Sequence, residues 1–192
     1  GMFQDFDYII SDNFARTAKK FGYEKIIYLG GLVPDSDSLS NHLKSRLEVE
    51  GILGSYGIPC VSVRAGLIIG AMGSSFQMML KLVERLPVIF CPSWGNNETQ
   101  AVGINTVIAC LLNSVNTNFT ENKKIELGCA QITSYRGIVD YIAVALNKKP
   151  VIIPIRYDVS RLSKILVSFF TIERESKKIN QFFLFCCYLV DK

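Results

Sequence analysis

Apolar positions along the chain repeat with two different periods, and the alternation of those periods predicts a mixed α/β protein. Over residues 7–21, Ile10, Phe14, Ala18 and Phe21 recur at helical spacing and Gly22 supplies a stop, so an amphipathic helix is expected with those four on its core side. Ile26, Ile27, Tyr28 and Leu29 follow as an unbroken apolar run, the pattern of a strand covered on both faces, ending at Gly30 and Gly31. Paired glycines there permit positive φ and close approach of a ligand to the backbone, or a tight turn and nothing more.

Residues 32–40 are turn-rich, and Ser40 is a credible cap for a helix over 41–53 with Leu43, Leu47 and Leu53 inward. On that helix His42, Arg46 and Glu50 are spaced four apart, so they stack on one face. Gly57 and Pro59 break it, and a second strand is expected from Val61 through Arg64, Ala65 and Gly66 to Gly70. Beyond it the pattern predicts helices over 76–86, 105–113, 134–147 and 158–170. Strands are expected at 88–91, 101–104, 125–127 and 151–155, with a polar loop at 93–99 carrying Trp94 and a linker at 116–122. Strand and helix in succession argue for a parallel sheet, so the expected fold is α/β: a partial Rossmann-like parallel sheet over 1–115, a smaller C-terminal α/β region over 116–170, and a tail over 171–192.

Composition narrows the functional classes. The chain has 192 residues and a formal charge of +4, with no dense basic block and no interleaved aromatics, which argues against nucleic acid as a partner. Six cysteines without a CxxC spacing, beside a single histidine, argue against a metal centre. Most of those thiols sit in apolar runs, so a reducing cytoplasm is expected. The apolar run at 182–190, FFLFCCYLV, is about half the ~20 residues a membrane-spanning helix needs, and no membrane partner is expected.

Three runs carry a family resemblance: YLGGL at 28–32, LSNHLKSRLEVEGIL at 39–53 and GIPCVSVRAGLIIGAMGSSFQMMLKLVERLP at 57–87. In order and spacing they resemble the second half of an atypical extended short-chain dehydrogenase/reductase, the NAD(P)-binding group related to nucleotide-sugar epimerases and NmrA-like proteins. The likeness extends over residues 5–112, more loosely over 125–170, and not into the tail. It implies an NAD(P) cofactor, NAD or NADP being open, and a small-molecule substrate, with self-association left open. In such proteins a Tyr-x-x-x-Lys pair lies on the helix that here holds 41–53; His42 stands at the tyrosine position and Arg46 at the lysine position, with Glu50 at a following glutamate. The strand-end hydroxyl of the family falls at Gly30 and Gly31, where no hydroxyl is present.

The resemblance further implies that Leu29, Gly30, Gly31, Arg46, Ala65, Gly66, Leu67 and Ile68 border the cofactor, and that His42 and Arg46 are the catalytic pair. Histidine titrates near ~6.5 and suits acid-base work, while arginine keeps its charge and cannot act as a lysine does. The alternative is a surface stripe in which Arg46 and Glu50 pair for ~0.2–0.5 kcal/mol. No G-x-G-x-x-G occurs in the 192 residues, so no glycine-rich turn is present to receive a pyrophosphate. The expectation is therefore a truncated oxidoreductase or epimerase beginning near the fourth strand of the parent sheet; the alternative is a module that senses NAD(P) without turnover.

Overall fold

In the computed structural model the described residues are 2–34, 39 and 41–155, without the side chains of 2–4, 41, 42 and 74. The helix expected over 158–170, the Ser40 cap and the apolar run at 182–190 lie outside them. In chain order the elements are α1 (Met2–Lys20), β1 (Ile26–Gly31), α2 (Asn41–Leu53), β2 (Cys60–Ala65), β3 (Ile68–Ile69), α3 (Ser74–Arg85) and β4 (Val88–Pro92). A short 3-10 turn (Ser93–Asn96) leads to β5 (Glu98–Thr99), β6 (Val102–Gly103), α4 (Ile104–Asn116), β7 (Lys123–Leu127), β8 (Thr133–Ser134), α5 (Tyr135–Ala145) and β9 (Val151–Ile155). Among the described residues no helix is long and apolar enough to cross a membrane.

These elements form two compact units, each assembled from two stretches of chain: Gly1–Gly66 with Val102–Gly128, and Leu67–Ala101 with the described residues from Cys129 onward. The first is a three-stranded parallel sheet in the order β1-β2-β7. Its register runs Ile26 against Cys60 through Gly31 against Ala65, and Val61 against Lys123 through Ala65 against Leu127. All six residues of the middle strand β2 are buried. Alternation along it sends Cys60, Ser62 and Arg64 to the face covered by α1 and α2, and Val61, Val63 and Ala65 to the face on which α4 packs. On the first face Ala15 and Ala18 of α1 and Val49 and Leu53 of α2 close the core over Ile26 and Cys60.

Two features fix the ends of these helices. The amides of Gly22 and Tyr23 donate to the carbonyls of Lys19 and Ala18, and Gly22 adopts a φ of +70°, so α1 stops in a Schellman turn. Lys25 Nζ donates to the carbonyls of Val115 at 2.6 Å and Thr117 at 2.7 Å, placing a cation at the negative end of α4.

The second unit pairs β4 with β9 in parallel, Val88 against Val151 through Pro92 against Ile155. Helices α3 and α5 pack over it through Met79, Val83, Ile138, Ile142 and Ala143, with Ile89 beneath. Trp94 meets Tyr135 edge to face, ring centres 5.9 Å apart. The polar loop of 93–99 is thereby ordered: β5 pairs antiparallel with β8.

Three expectations are corrected. The second strand ends at Ala65, not Gly70; only Ile68 and Ile69 resume extended pairing as β3. The core side of α1 is the small-residue stripe Ser11, Ala15 and Ala18, while Ile10, Phe14 and Phe21 are exposed, because it is through that small-residue stripe that α1 packs against α2 and the core. Leu29, expected under cover on both faces, is exposed, because β1 is an outer strand.

Candidate functional site

The carboxyl ends of β1 and β2 lie side by side, so the residues singled out at those ends are brought together within the first unit. Leu29, Gly30 and Gly31 pair in register with Val63, Arg64 and Ala65. Neither Gly30 nor Gly31 has positive φ; both continue the strand, which corrects the expectation of a glycine turn there. Gly30 has a packing reason to lack a side chain, because a Cβ would stand 3.0 Å from Cε1 of Tyr28. Gly31 has none, since no atom lies within 4 Å of where its Cβ would stand. The Tyr28 hydroxyl is itself buried with no hydrogen-bond partner among the described residues.

Ala65 is buried at the end of β2, and its carbonyl accepts from the amide of Leu32 at 3.1 Å, holding the chain beyond Gly31 against the sheet. Gly66 closes the first unit. Leu67 and Ile68 belong to the second, where Leu67 packs against the Met79 and Val83 core and Ile68 opens β3.

On α2 the three stacked positions reach different partners. His42 lies in the first turn, and its side chain is outside the described residues. Arg46 Nη2 is 3.7 Å from Asp7 Oδ2 of α1, with Ser45 Oγ donating to the same carboxylate oxygen at 3.1 Å. Glu50 turns to the sheet: Arg64 donates from Nε to Oε2 at 3.0 Å and from Nη2 to Oε1 at 2.9 Å. Glu126 of β7 accepts from Arg64 Nη1 at 3.3 Å, and Lys124 Nζ is 3.9 Å from Glu50 Oε1. Arg46 and Glu50 thus have separate counter-charges.

The Glu50 carboxylate holds the Arg64 guanidinium above its ordinary pKa against the opposing effect of burial. Cys60, beneath, has its thiol pushed up, chiefly by burial, and is no ready nucleophile. The Arg64 network escaped sequence reasoning. Its signal was present all the same: an arginine in the apolar run CVSVRAG of a strand between two neighbours must find a buried counter-charge.

No protein-family sequence pattern matches the chain, and no curated protein matches it by sequence. Solved structures do match in fold. MoeE5 in complex with UDP-glucose and NAD aligns at a TM-score of 0.66 with 11% identity, over 78% of this chain and 57% of that one. DesIV, the dTDP-glucose 4,6-dehydratase from Streptomyces venezuelae, with NAD bound, aligns at 0.65 with 10% identity, over 83% and 56%. The UDP-glucose 4-epimerase of Thermus thermophilus in complex with NAD aligns at 0.57 with 19% identity, over 76% and 56%. The chain spans a little over half the length of each of these proteins, and at such identities what is shared is the Rossmann-like α/β fold.

Proposed function

We propose that the chain is part of an NAD(P)-binding protein of the short-chain dehydrogenase and epimerase type, an oxidoreductase or epimerase whose glycine-rich pyrophosphate turn lies outside these 192 residues. The observation that carries this reading is the parallel order β1-β2-β7 with Gly30 and Gly31 at the carboxyl end of its outer strand. Open parallel α/β sheets receive ligands beyond the carboxyl ends of their strands. Supporting it, the fold is shared with epimerases and a dehydratase whose structures were determined with NAD.

The residues present fit part of such a cofactor. Gly31 offers backbone with open space where a side chain would stand, and Arg46, its side chain 37% exposed, has donors beyond its one contact with Asp7. Arg46 would orient the ribose hydroxyls, and backbone groups of Leu29 to Gly31 and of Ala65 and Gly66 would border the nicotinamide. His42 would give or take the substrate proton. Bound NAD(P) would supply the hydride acceptor or donor. Among the described residues Cys60, Cys91, Cys110 and Cys129 form no disulfide.

A second reading, an NmrA-like module that senses NAD(P) without turnover, is favoured by the Arg46–Asp7 contact. A cation already facing a carboxylate is a weaker promoter of acid-base chemistry at His42. Reading the coding DNA upstream of Gly1 for an in-frame glycine-rich strand-turn-helix, then titrating NAD and NADP into the protein so extended, tests both readings. Saturable binding with hydride transfer to a sugar or quinone panel supports the enzyme, and binding without transfer supports the sensor. No such upstream segment, or no binding at millimolar dinucleotide, overturns both.

A further inference from the structure

One face of the β4–β9 pair stands open within the second unit. Alternation along the two strands turns Ile89 and Ile152 toward α3 and α5, and Val88, Phe90, Val151, Ile153 and Ile155 to the opposite side. On that side Phe90, Val151 and Ile153 are 48%, 59% and 41% exposed. Neither strand, VIFCP or VIIPI, carries a charged residue. Parallel strands of this kind are found with both faces covered, because they offer apolar side chains to both.

We infer that the occupant of this face is the chain's own segment 158–170, which lies outside the described residues. Three observations select it. The first is its sequence: at helical spacing Val159, Leu162, Ile165, Leu166, Phe169 and Phe170 fall within less than half of the circumference. Ser160, Arg161, Lys164 and Ser168 take the remainder, and Val167 alone of the apolar residues falls among them. The second is reach. Only Arg156 and Tyr157 separate the segment from the end of β9, within the ~2–6 residues usual between a strand and a following helix. Thirteen helical residues span about 20 Å, close to the ~17 Å of a five-residue strand. The third is that α3 and α5 already fill the other face through Met79, Val83, Ile138 and Ile142, so a further layer has the open side alone. This assignment is independent of the cofactor reading and stands or falls without it.

The test is photocrosslinking of the full chain with benzoylphenylalanine in place of Phe90, read by peptide mapping. Sedimentation velocity gives the mass of the cross-linked species, and circular dichroism checks the fold. Adducts within residues 158–170 of the same molecule are expected. Adding Leu166→Asp, which puts a charge at the centre of the apolar stripe, should reduce their yield to background. Lys164→Glu, on the polar side, should leave the yield unchanged. The same probe in place of Val151 repeats the measurement from the neighbouring strand, so that a chain unfolded by the first substitution does not end the test. Adducts that join two copies, adducts elsewhere in the chain, or no adduct from a folded chain overturn the inference. So does a yield indifferent to Leu166→Asp.

Discussion

Glu50 and Arg64 lie fourteen positions apart in sequence and share two parallel hydrogen bonds, 2.9 and 3.0 Å long, between helix α2 and the middle strand of the sheet. Their side chains are 12% and 9% exposed, so this is an ion pair largely withdrawn from water. Removing one member of such a pair leaves an uncompensated charge and typically costs about 3–5 kcal/mol. Glu50→Ala is expected at the low end of that range, because Glu126 still accepts from Arg64. Urea denaturation of Glu50→Ala and Glu126→Ala checks it: the first should lower the unfolding free energy well beyond the second.

Arg46 has two competing explanations that mutation separates. If it orients a dinucleotide, Arg46→Met should weaken NAD binding by the cofactor-competent protein about tenfold, as expected for a lost charge-assisted hydrogen bond of ~1.5 kcal/mol. Asp7→Asn, which only frees the guanidinium, should leave affinity equal or higher. Calorimetric titration of both reads the difference. Equal losses would make the Arg46–Asp7 contact a structural strut.

The hydrogen bond from the Tyr56 hydroxyl to Asp12 joins the turn after α2 to α1, and it predicts a pH profile. Tyr56 and then Arg16 hold the Asp12 carboxyl below its ordinary pKa, and Asp12 raises that of Tyr56. A lowered carboxylate pKa contributes stability that is present above the unfolded value and lost as pH falls through the folded one. A raised phenol pKa contributes stability that is present below the unfolded value and lost as pH rises through the folded one. The stability difference between the parent and Tyr56→Phe should therefore be level at mid-pH and shrink below about pH 4 and above about pH 10. Denaturant midpoints measured across pH give the curve.

Gly95 stands where the Sγ of Cys91 leaves no room for a methyl group. Gly95→Ala should cost about 1–3 kcal/mol through overpacking. Adding Cys91→Ala should recover part of that loss, a non-additivity that thermal or chemical unfolding of the double mutant detects.

At the Lys25 cap, Lys25→Met keeps the aliphatic stem but withdraws the cation from the carbonyls of Val115 and Thr117. A loss of about 1 kcal/mol is expected, diminishing as salt is added because the site is exposed. Unfolding at low and high ionic strength measures both.

Local periodicity carried much of the fold into view. The strand at 151–155 is β9 residue for residue, and helices expected at 76–86 and 134–147 appear as α3 and α5 within a few positions at each end. What periodicity could not decide was which of two adjacent stripes on α1 faces inward. Ala18 belongs to the expected face and is buried, yet its companions Ile10 and Phe14 give way to Ser11 and Ala15, a choice made by tertiary packing against α2 that local spacing does not encode. Side-chain partners were equally out of reach. The four-residue spacing of Arg46 and Glu50 is real, but their carboxylate and guanidinium partners arrive from α1 and β2, which helical spacing does not describe. At Gly30 the absent side chain reads as a ligand signal in sequence and as room for the Tyr28 ring in space.

Each compact unit is stitched from two separated stretches of chain, and this governs how the protein can be made and taken apart. On the ribosome, the middle strand β2 waits for its neighbour β7 until the whole of residues 67–122 has been synthesised between them, so neither unit can be finished before the other has begun. A single protease nick anywhere between β4 and β7 leaves β2 and β4 on one fragment and their sheet partners β7 and β9 on the other.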